Sequence, residues 1–219
     1  MIFPEPLIIE THPTCDIAVF WLHGLGADGF DFQDVVPALN LPDSLKIRFI
    51  FPHAKEIPVT ANAGYVMRAW YDILEFSEDR KINSTQLAES VSYVEALIEQ
   101  QSKLGIPSKR IIIAGFSQGG AVAYQTALNY PQNLAGLLTM STYIAEPEAL
   151  TFSPANKALP ILIQHGQFDP VVLEQQADKA LTLLQSKHYQ ATTQRYPTEH
   201  NLCAQQALDI GNWLTSLFH

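Results

Sequence analysis

The sequence predicts an α/β fold, with residues 1–219 as one domain built on a mostly parallel central sheet flanked by helices and lacking a large cap. Three observations carry that expectation. Short, almost wholly apolar runs alternate along the chain with longer runs of helical periodicity, the pattern of a doubly wound parallel sheet. The apolar runs do not alternate with polar residues, as suits strands buried on both faces. A chain of 219 residues, 47% hydrophobic and 16% charged, supplies the core for one such domain and would be crowded for two.

The expected strands fall at 17–22, 47–51, 110–114, 134–140 and 161–164, with a further strand-like stretch at 192–196. The stretch from Phe51 to Asp79 shows no helical period, and its Pro52, Pro58, Asn62 and Gly64 predict a long ordered loop or short strands. The first long helix is marked by Leu87, Val91, Val94 and Ile98, which form one apolar stripe. Asn83 or Ser84 can cap its start, and Gly105 with Pro107 can end it. An Ala-rich helix is expected over 118–129, ahead of Pro131, and another over 174–186. Ala207, Ile210, Leu214 and Leu217 mark the last.

Composition excludes some functions. The formal net charge of −9 repels nucleic-acid phosphates, whose partners gain affinity through Lys and Arg. No apolar run approaches the roughly 20 residues that span a bilayer, so stable membrane insertion is not expected. Cys15 and Cys203 are far apart and in no metal-ligand spacing. The N-terminal residues lack a basic region followed by a long apolar one, so they do not read as a signal peptide, and a cytoplasmic location is expected.

The chemistry is concentrated in Gly115-Phe116-Ser117-Gln118-Gly119, which fits G-x-S-x-G and is followed by Gly120. A strand runs into it and a helix leaves it, the context the motif requires for a serine held at a sharp turn. Gly115 and Gly119 stand where a Cβ would collide across the bend, and Gly120 would let the helix pack close to a neighbouring strand. The Gln118 amide, at the positive end of the helix, is one expected oxyanion donor. The second is the amide of Leu25, in the glycine-rich loop His23-Gly24-Leu25-Gly26-Ala27-Asp28-Gly29, expected after the third strand. That loop is not a phosphate cradle, since it has no G-x-x-x-x-G-K-[ST] pattern.

A serine needs a base, and the order in this kind of site is serine, acid, histidine. Of the seven histidines, His165, His188, His200 and His219 follow Ser117. His165 ends an apolar strand, His188 ends a helix and His219 is the last residue. His200 lies on a loop between a strand-like stretch and the last helix, and is the expected base. Asp169, just past the strand ending at His165, is the expected acid, because active-site groups collect beyond the carboxyl ends of parallel strands. Asp178 and Asp209 fall within helices, and Glu199 points away from its neighbour His200.

With these residues the chain resembles the phospholipase/carboxylesterase family of α/β-hydrolases, which includes bacterial carboxylesterases and acyl-protein thioesterases. The likeness also runs through Pro58-Val59-Thr60, through Gly64-Tyr65-Val66-Met67-Arg68-Ala69-Trp70-Tyr71-Asp72, and through His165-Gly166 with Asp169-Pro170. It implies the triad Ser117, Asp169 and His200, the amides of Leu25 and Gln118 as oxyanion donors, and an acyl channel lined by Trp70, Tyr143 and Val171. It implies hydrolysis of esters or thioesters of short to medium acyl groups with neither cofactor nor metal. The partner it implies is a small-molecule ester or thioester, or else an acylated protein or lipid. Gln167 stands where an acidic residue is common, Pro197-Thr198-Glu199 replaces a glycine-containing stretch, and Lys55 replaces a common proline. The alternatives are a lysophospholipase, a dienelactone-type hydrolase (which usually carries a cysteine nucleophile) and a ligand-binding protein on the same scaffold. Oligomeric state is left open.

Overall fold

In the computed structural model, which describes residues 3–76 and 80–218, the elements follow one another as β1 (Leu7–Glu10), β2 (Ile17–Leu22), α1 (Val35–Ala38), β3 (Ile47–Phe51), β4 (Lys55–Val59), β5 (Tyr65–Ala69), β6 (Ile73–Glu75), β7 (Lys81–Ile82), α2 (Ser84–Lys103), β8 (Ile111–Phe116), α3 (Gln118–Asn129), β9 (Gly136–Met140), β10 (Ile161–Gly166), α4 (Gln175–Ser186), β11 (Ala191–Tyr196) and α5 (Ala204–Ser216). Among the described residues seven strands form the central sheet, in the order β1-β3-β2-β8-β9-β10-β11. All neighbours are parallel except β1, which runs antiparallel to β3 at one edge. The α/β architecture is the one expected.

The unbroken apolar runs resolve into two interleaved stripes. Ala18, Phe20, Leu22, Ile111, Ile113, Leu137, Ile161 and Ile163 face a core completed by α2, α3 and α4. Their chain neighbours Ile17, Val19, Trp21, Ile112, Ala114, Leu138 and Leu162 face a second core, closed by α5 and residues around α1. Successive side chains on a strand point to opposite faces. A strand covered on both sides must therefore be apolar at every position.

Helix boundaries follow local chemistry. The Asn83 side chain accepts from the Gln86 backbone N–H and starts α2. Leu87, Val94 and Ile98 of its stripe are buried, with Val91 packed at the margin. The 118–129 helix stands at the expected residues, and the 174–186 helix starts one residue later, at Gln175. The strand expected over 134–140 begins at Gly136, and the one expected over 161–164 continues to Gly166.

One feature was not expected, and one open alternative is resolved. β1 carries no continuous apolar run; it is a short edge strand with alternating burial, so it lacks the signal that reveals a central strand. Of the two alternatives for 51–79, short strands stand: β4 and β5 form an antiparallel hairpin, and β6 begins a second pairing with β7. Residues 77–79 of that stretch lie outside the described residues, as does His219.

Helix α5 lies so close to the segment after α1 that a Cβ on Gly211 would stand 1.8 Å from the Leu39 carbonyl oxygen. Gly211→Ala must push the helix outward, and overpacking of this kind costs about 1–3 kcal/mol. The unfolding midpoint should fall by roughly 2–12 °C for a chain this size, read by a thermal melt followed by circular dichroism. A midpoint unchanged within a degree would show that the contact yields freely.

Candidate active site

The turn between β8 and α3 holds Ser117 at φ 52°, ψ −122°. A non-glycine residue here is strained by about 1–3 kcal/mol and needs its surroundings to hold it. The Ser117 N–H donates to the Met140 carbonyl at 2.9 Å, and its own carbonyl accepts from the Gly120 N–H and the Thr142 hydroxyl. The flanking glycines have no room for a side chain. A Cβ on Gly115 would meet the Gly119 carbonyl oxygen at 2.4 Å, across the bend as expected. One on Gly119 would meet the carbonyl oxygens of Leu22 and His23, also at 2.4 Å, so its crowding comes from the end of β2 and not from the bend itself. Gly120 likewise abuts the Thr142 side chain, which follows β9, and not a strand.

Ser117, His200 and Asp169 meet. The Ser117 Oγ lies 2.9 Å from His200 Nε2, and His200 Nδ1 lies 2.7 Å from Asp169 Oδ2. His200 arrives on the loop after β11. The Phe168 N–H donates to the Thr198 carbonyl, and the backbone of Thr198 and Glu199 crosses Gly166 at a separation only a glycine allows. Pro197-Thr198-Glu199 thus fits without displacing the imidazole, which packs against the Phe116 ring with centroids 4.7 Å apart. Asp169 is buried, and its Oδ1 accepts from the Val171 and Val172 N–H groups, each at 2.9 Å. Burial pushes this carboxyl up, but the hydrogen bonds from His200 and the two amides outweigh it and hold it below the usual carboxylate value.

Three of the other candidates for base and acid have other partners, although His165 Nε2 also lies 3.6 Å from Asp169 Oδ2. His165 is fully buried and donates through Nε2 to the Val172 carbonyl, so it braces the loop that carries Asp169. Asp178 pairs with Arg195 on the surface, and Asp209 accepts from the Tyr196 hydroxyl.

The loop expected to supply the second donor follows β2, the second strand along the chain and not the third. It lies against the nucleophile: a Cβ on Gly24 would be 3.3 Å from the Ser117 Cβ. Among the described residues no acceptor meets the backbone N–H of Leu25 or of Gln118. Both residues line a cleft of about 540 Å³ that also contains Ser117 and His200. Tyr143 and Val171 line the same cleft, as the resemblance implies. Trp70 does not: it is 2% exposed, packed beneath the loop after β2, with its indole Nε1–H donating to the His23 carbonyl at 2.8 Å. An indole N–H buried in the core must find an acceptor, and here that acceptor lies behind the site.

Sequence reasoning missed several neighbours. The Tyr143 hydroxyl shares a 2.7 Å hydrogen bond with that of Tyr71, and burial raises the Tyr71 hydroxyl far above its usual value. Arg80 lies over the Tyr143 ring and donates to the Val171 carbonyl. Neither pairing leaves a local signal, because the partners come from different loops. Among the described residues no group of three or more His, Cys, Asp or Glu is placed to hold a metal ion, and no helix is long and apolar enough to cross a membrane.

A model of the phospholipase/carboxylesterase family matches residues 5–217. The chain is 32% identical over 221 residues to acyl-protein thioesterase 1 of Neurospora crassa, covering 96% of this chain and 90% of that protein. It is 38% identical over 169 residues to acyl-protein thioesterase 1 of Schizosaccharomyces pombe, covering 76% and 74% of the two chains. The crystal structure of Arabidopsis thaliana SOBER1 superposes with a TM-score of 0.87 at 29% identity, covering 93% of this chain and 99% of that one.

Burial lowers three histidines. His23 falls from 6.5 to about 4, despite the raising effect of its hydrogen bond to Gly24. Burial lowers His53 and His165 as well. Each is neutral in the fold and takes up a proton on unfolding, so stability falls as the pH drops from about 6.5 toward 4. His23 alone accounts for about 3 kcal/mol across that window. Asp169 adds to the loss only below the ordinary carboxylate range. Urea unfolding at pH 7, 5.5 and 4.5 should show this decline beginning above pH 5; a flat profile from 7 to 5 would contradict it.

Proposed function

The chain belongs to the phospholipase/carboxylesterase family, and from that premise we propose that it hydrolyses carboxylic esters or thioesters through an acyl-enzyme on Ser117, with His200 as the base and Asp169 orienting it. The observation that carries this reading is the line of two hydrogen bonds, Ser117 Oγ to His200 Nε2 and His200 Nδ1 to Asp169 Oδ2, opening into a cleft.

The steps follow from the geometry. His200 Nε2 accepts the hydroxyl proton as Ser117 Oγ attacks the acyl carbon. Asp169, held ionised, keeps the Nδ1 proton in place and stabilises the imidazolium that forms. The oxyanion is received by the N–H groups of Leu25 and Gln118. His200 returns the proton to the leaving alcohol or thiol. Water then enters, gives a proton to His200 and splits the acyl-enzyme, freeing the carboxylic acid and Ser117.

The cleft's apolar lining, which includes Leu25, Phe32, Ile73, Phe76 and Leu202, suits an acyl chain, with Tyr143 and Val171 bounding the channel. Its volume of about 540 Å³ suits short to medium chains. Two relatives are named acyl-protein thioesterases, which favours a thioester on an acylated protein, or an acylated lipid, over a small ester alone. Residues 1–219 act as one catalytic domain, working in the cytoplasm.

Ser117→Ala should leave a folded protein with negligible hydrolysis of p-nitrophenyl butyrate, and a fluorophosphonate should label Ser117 in the native chain. Wild-type turnover by the variant, or labelling at another residue, would overturn the assignment. Asp169→Asn should lower kcat by about 10⁴-fold, because the imidazole loses the group that fixes its tautomer. A loss under tenfold would remove Asp169 from the mechanism.

A further inference from the structure

We infer that Trp70 and His23 are positioning residues that hold the Leu25 N–H on the oxyanion. The inference rests on the reading of Ser117 and Leu25 given above and adds to it the groups that make the Leu25 amide a fixed donor.

A peptide unit is planar and trans, so its N–H points opposite to its carbonyl. Aiming the Leu25 N–H therefore means holding the Gly24 carbonyl. That carbonyl accepts from His23 Nδ1 at 2.7 Å and from the Ala27 N–H at 3.3 Å. The His23 carbonyl, one peptide earlier, accepts the Trp70 indole N–H at 2.8 Å. One peptide later, the Gly26 N–H donates to the Arg68 carbonyl at 2.8 Å. Three successive peptide units are thereby pinned around one unpaired N–H. Without those bonds the turn would be loose: Gly24 has no side chain to resist rotation, and Gly26 sits at φ 76°, where glycine is at ease. Rotating the Gly24–Leu25 peptide would replace the donor with a carbonyl oxygen.

The pinning groups are themselves locked. His23 Nε2 accepts from the Ala54 N–H at 3.0 Å, which places the ring proton on Nδ1, where the Gly24 carbonyl needs it. The Trp70 backbone N–H donates to the Gln118 side-chain carbonyl at 2.9 Å, and the Gln118 amide nitrogen donates to the Tyr71 carbonyl at 2.8 Å. Gln118 thus offers its own backbone N–H to the site while its side chain steadies the segment that holds the other donor. The His23 and Trp70 rings pack 5.1 Å apart, and both residues are buried outside the residues that line the cleft. They do not touch the cleft, and they act on the reaction through the loop and, for Trp70, through Gln118.

Trp70→Phe keeps an aromatic ring and deletes the N–H. With a short p-nitrophenyl ester, kcat should fall by about 10- to 100-fold, part of what loss of a whole oxyanion donor brings. KM should stay within about twofold, and the order of preference along an acyl-length series should be unchanged. Inhibition by a trifluoromethyl ketone, which adds to the serine and builds the oxyanion, should weaken by the same factor as kcat/KM. Inhibition by the product carboxylate should not change. His23→Gln loses the δ donor and should behave likewise, whereas His23→Asn keeps a donor at that position and should recover most of the loss. This pair decides the matter even if Trp70→Phe does not fold. Turnover by Trp70→Phe within twofold of wild type would overturn the inference, as would a shift in KM and chain-length preference, the behaviour of a channel wall. So would equal activity in the two His23 variants. Failure of the underlying reading would look different, as full activity in Ser117→Ala, and would take this inference with it.

Discussion

The site depends on one backbone constraint, the left-handed bend at Ser117 between a central strand and the helix that follows. A serine in the middle of either element would lie along a sheet or a helix face. At φ 52° it stands off the end of β8 with its hydroxyl in the cleft. The conformation is unfavourable by about 1–3 kcal/mol, and four hydrogen bonds at its own N–H and carbonyl, with Met140, Gly120, Ala121 and Thr142, hold it there. The same bend drives α3 into the end of β2 at Gly119, against the carbonyls of Leu22 and His23. Ser117 and the loop that carries Leu25 are therefore placed by a single close contact.

Parallel strands bring the other groups to the same place. β2, β8, β10 and β11 run in one direction, and the segments leaving their carboxyl ends carry Leu25, Ser117, Asp169 and His200. Four loops that are remote in sequence thus open on one edge of the sheet, and neither half of the chain could assemble the site alone. The two apolar cores make that edge rigid. β2, β8 and β10 are buried along their whole length, so the loops rise from a packed platform.

Most of this was legible in the sequence where the signal was local. The G-x-S-x-G bend between a strand and a helix and the continuous apolar runs depend on neighbouring residues, and each triad candidate stands just past a strand that its own local pattern reveals. β1 escaped because an edge strand with one sheltered face carries a weak alternating pattern. The β4–β5 hairpin was left open between a loop and short strands because Pro58 interrupts the run of strand-forming residues within β4. Gly119 and Gly120 were recognised as crowded, but the crowding comes from Leu22, His23 and Thr142, which no local pattern names. Trp70 was the clearest miss. A tryptophan near a site reads as a wall for an apolar substrate, yet the direction of its indole N–H decides its use, and that direction is set by His23, 47 residues away.

The histidines show how burial sorts residues of one type. His23, His53 and His165 each use ring nitrogens to hold a backbone group. Desolvation lowers all three, which makes each a poorer proton acceptor than an ordinary imidazole. His200 differs in that its side chain keeps 18% of its exposure and one nitrogen faces a carboxylate. In the proposed reaction Asp169 would offset the charge that His200 acquires, and water would reach the acyl-enzyme through the cleft. The neutral histidines are no less necessary for being inert: His165 braces the loop that presents Asp169, and His23 braces the loop that presents Leu25. Of these four imidazoles, His200 is the one whose surroundings suit the proton transfer proposed for it.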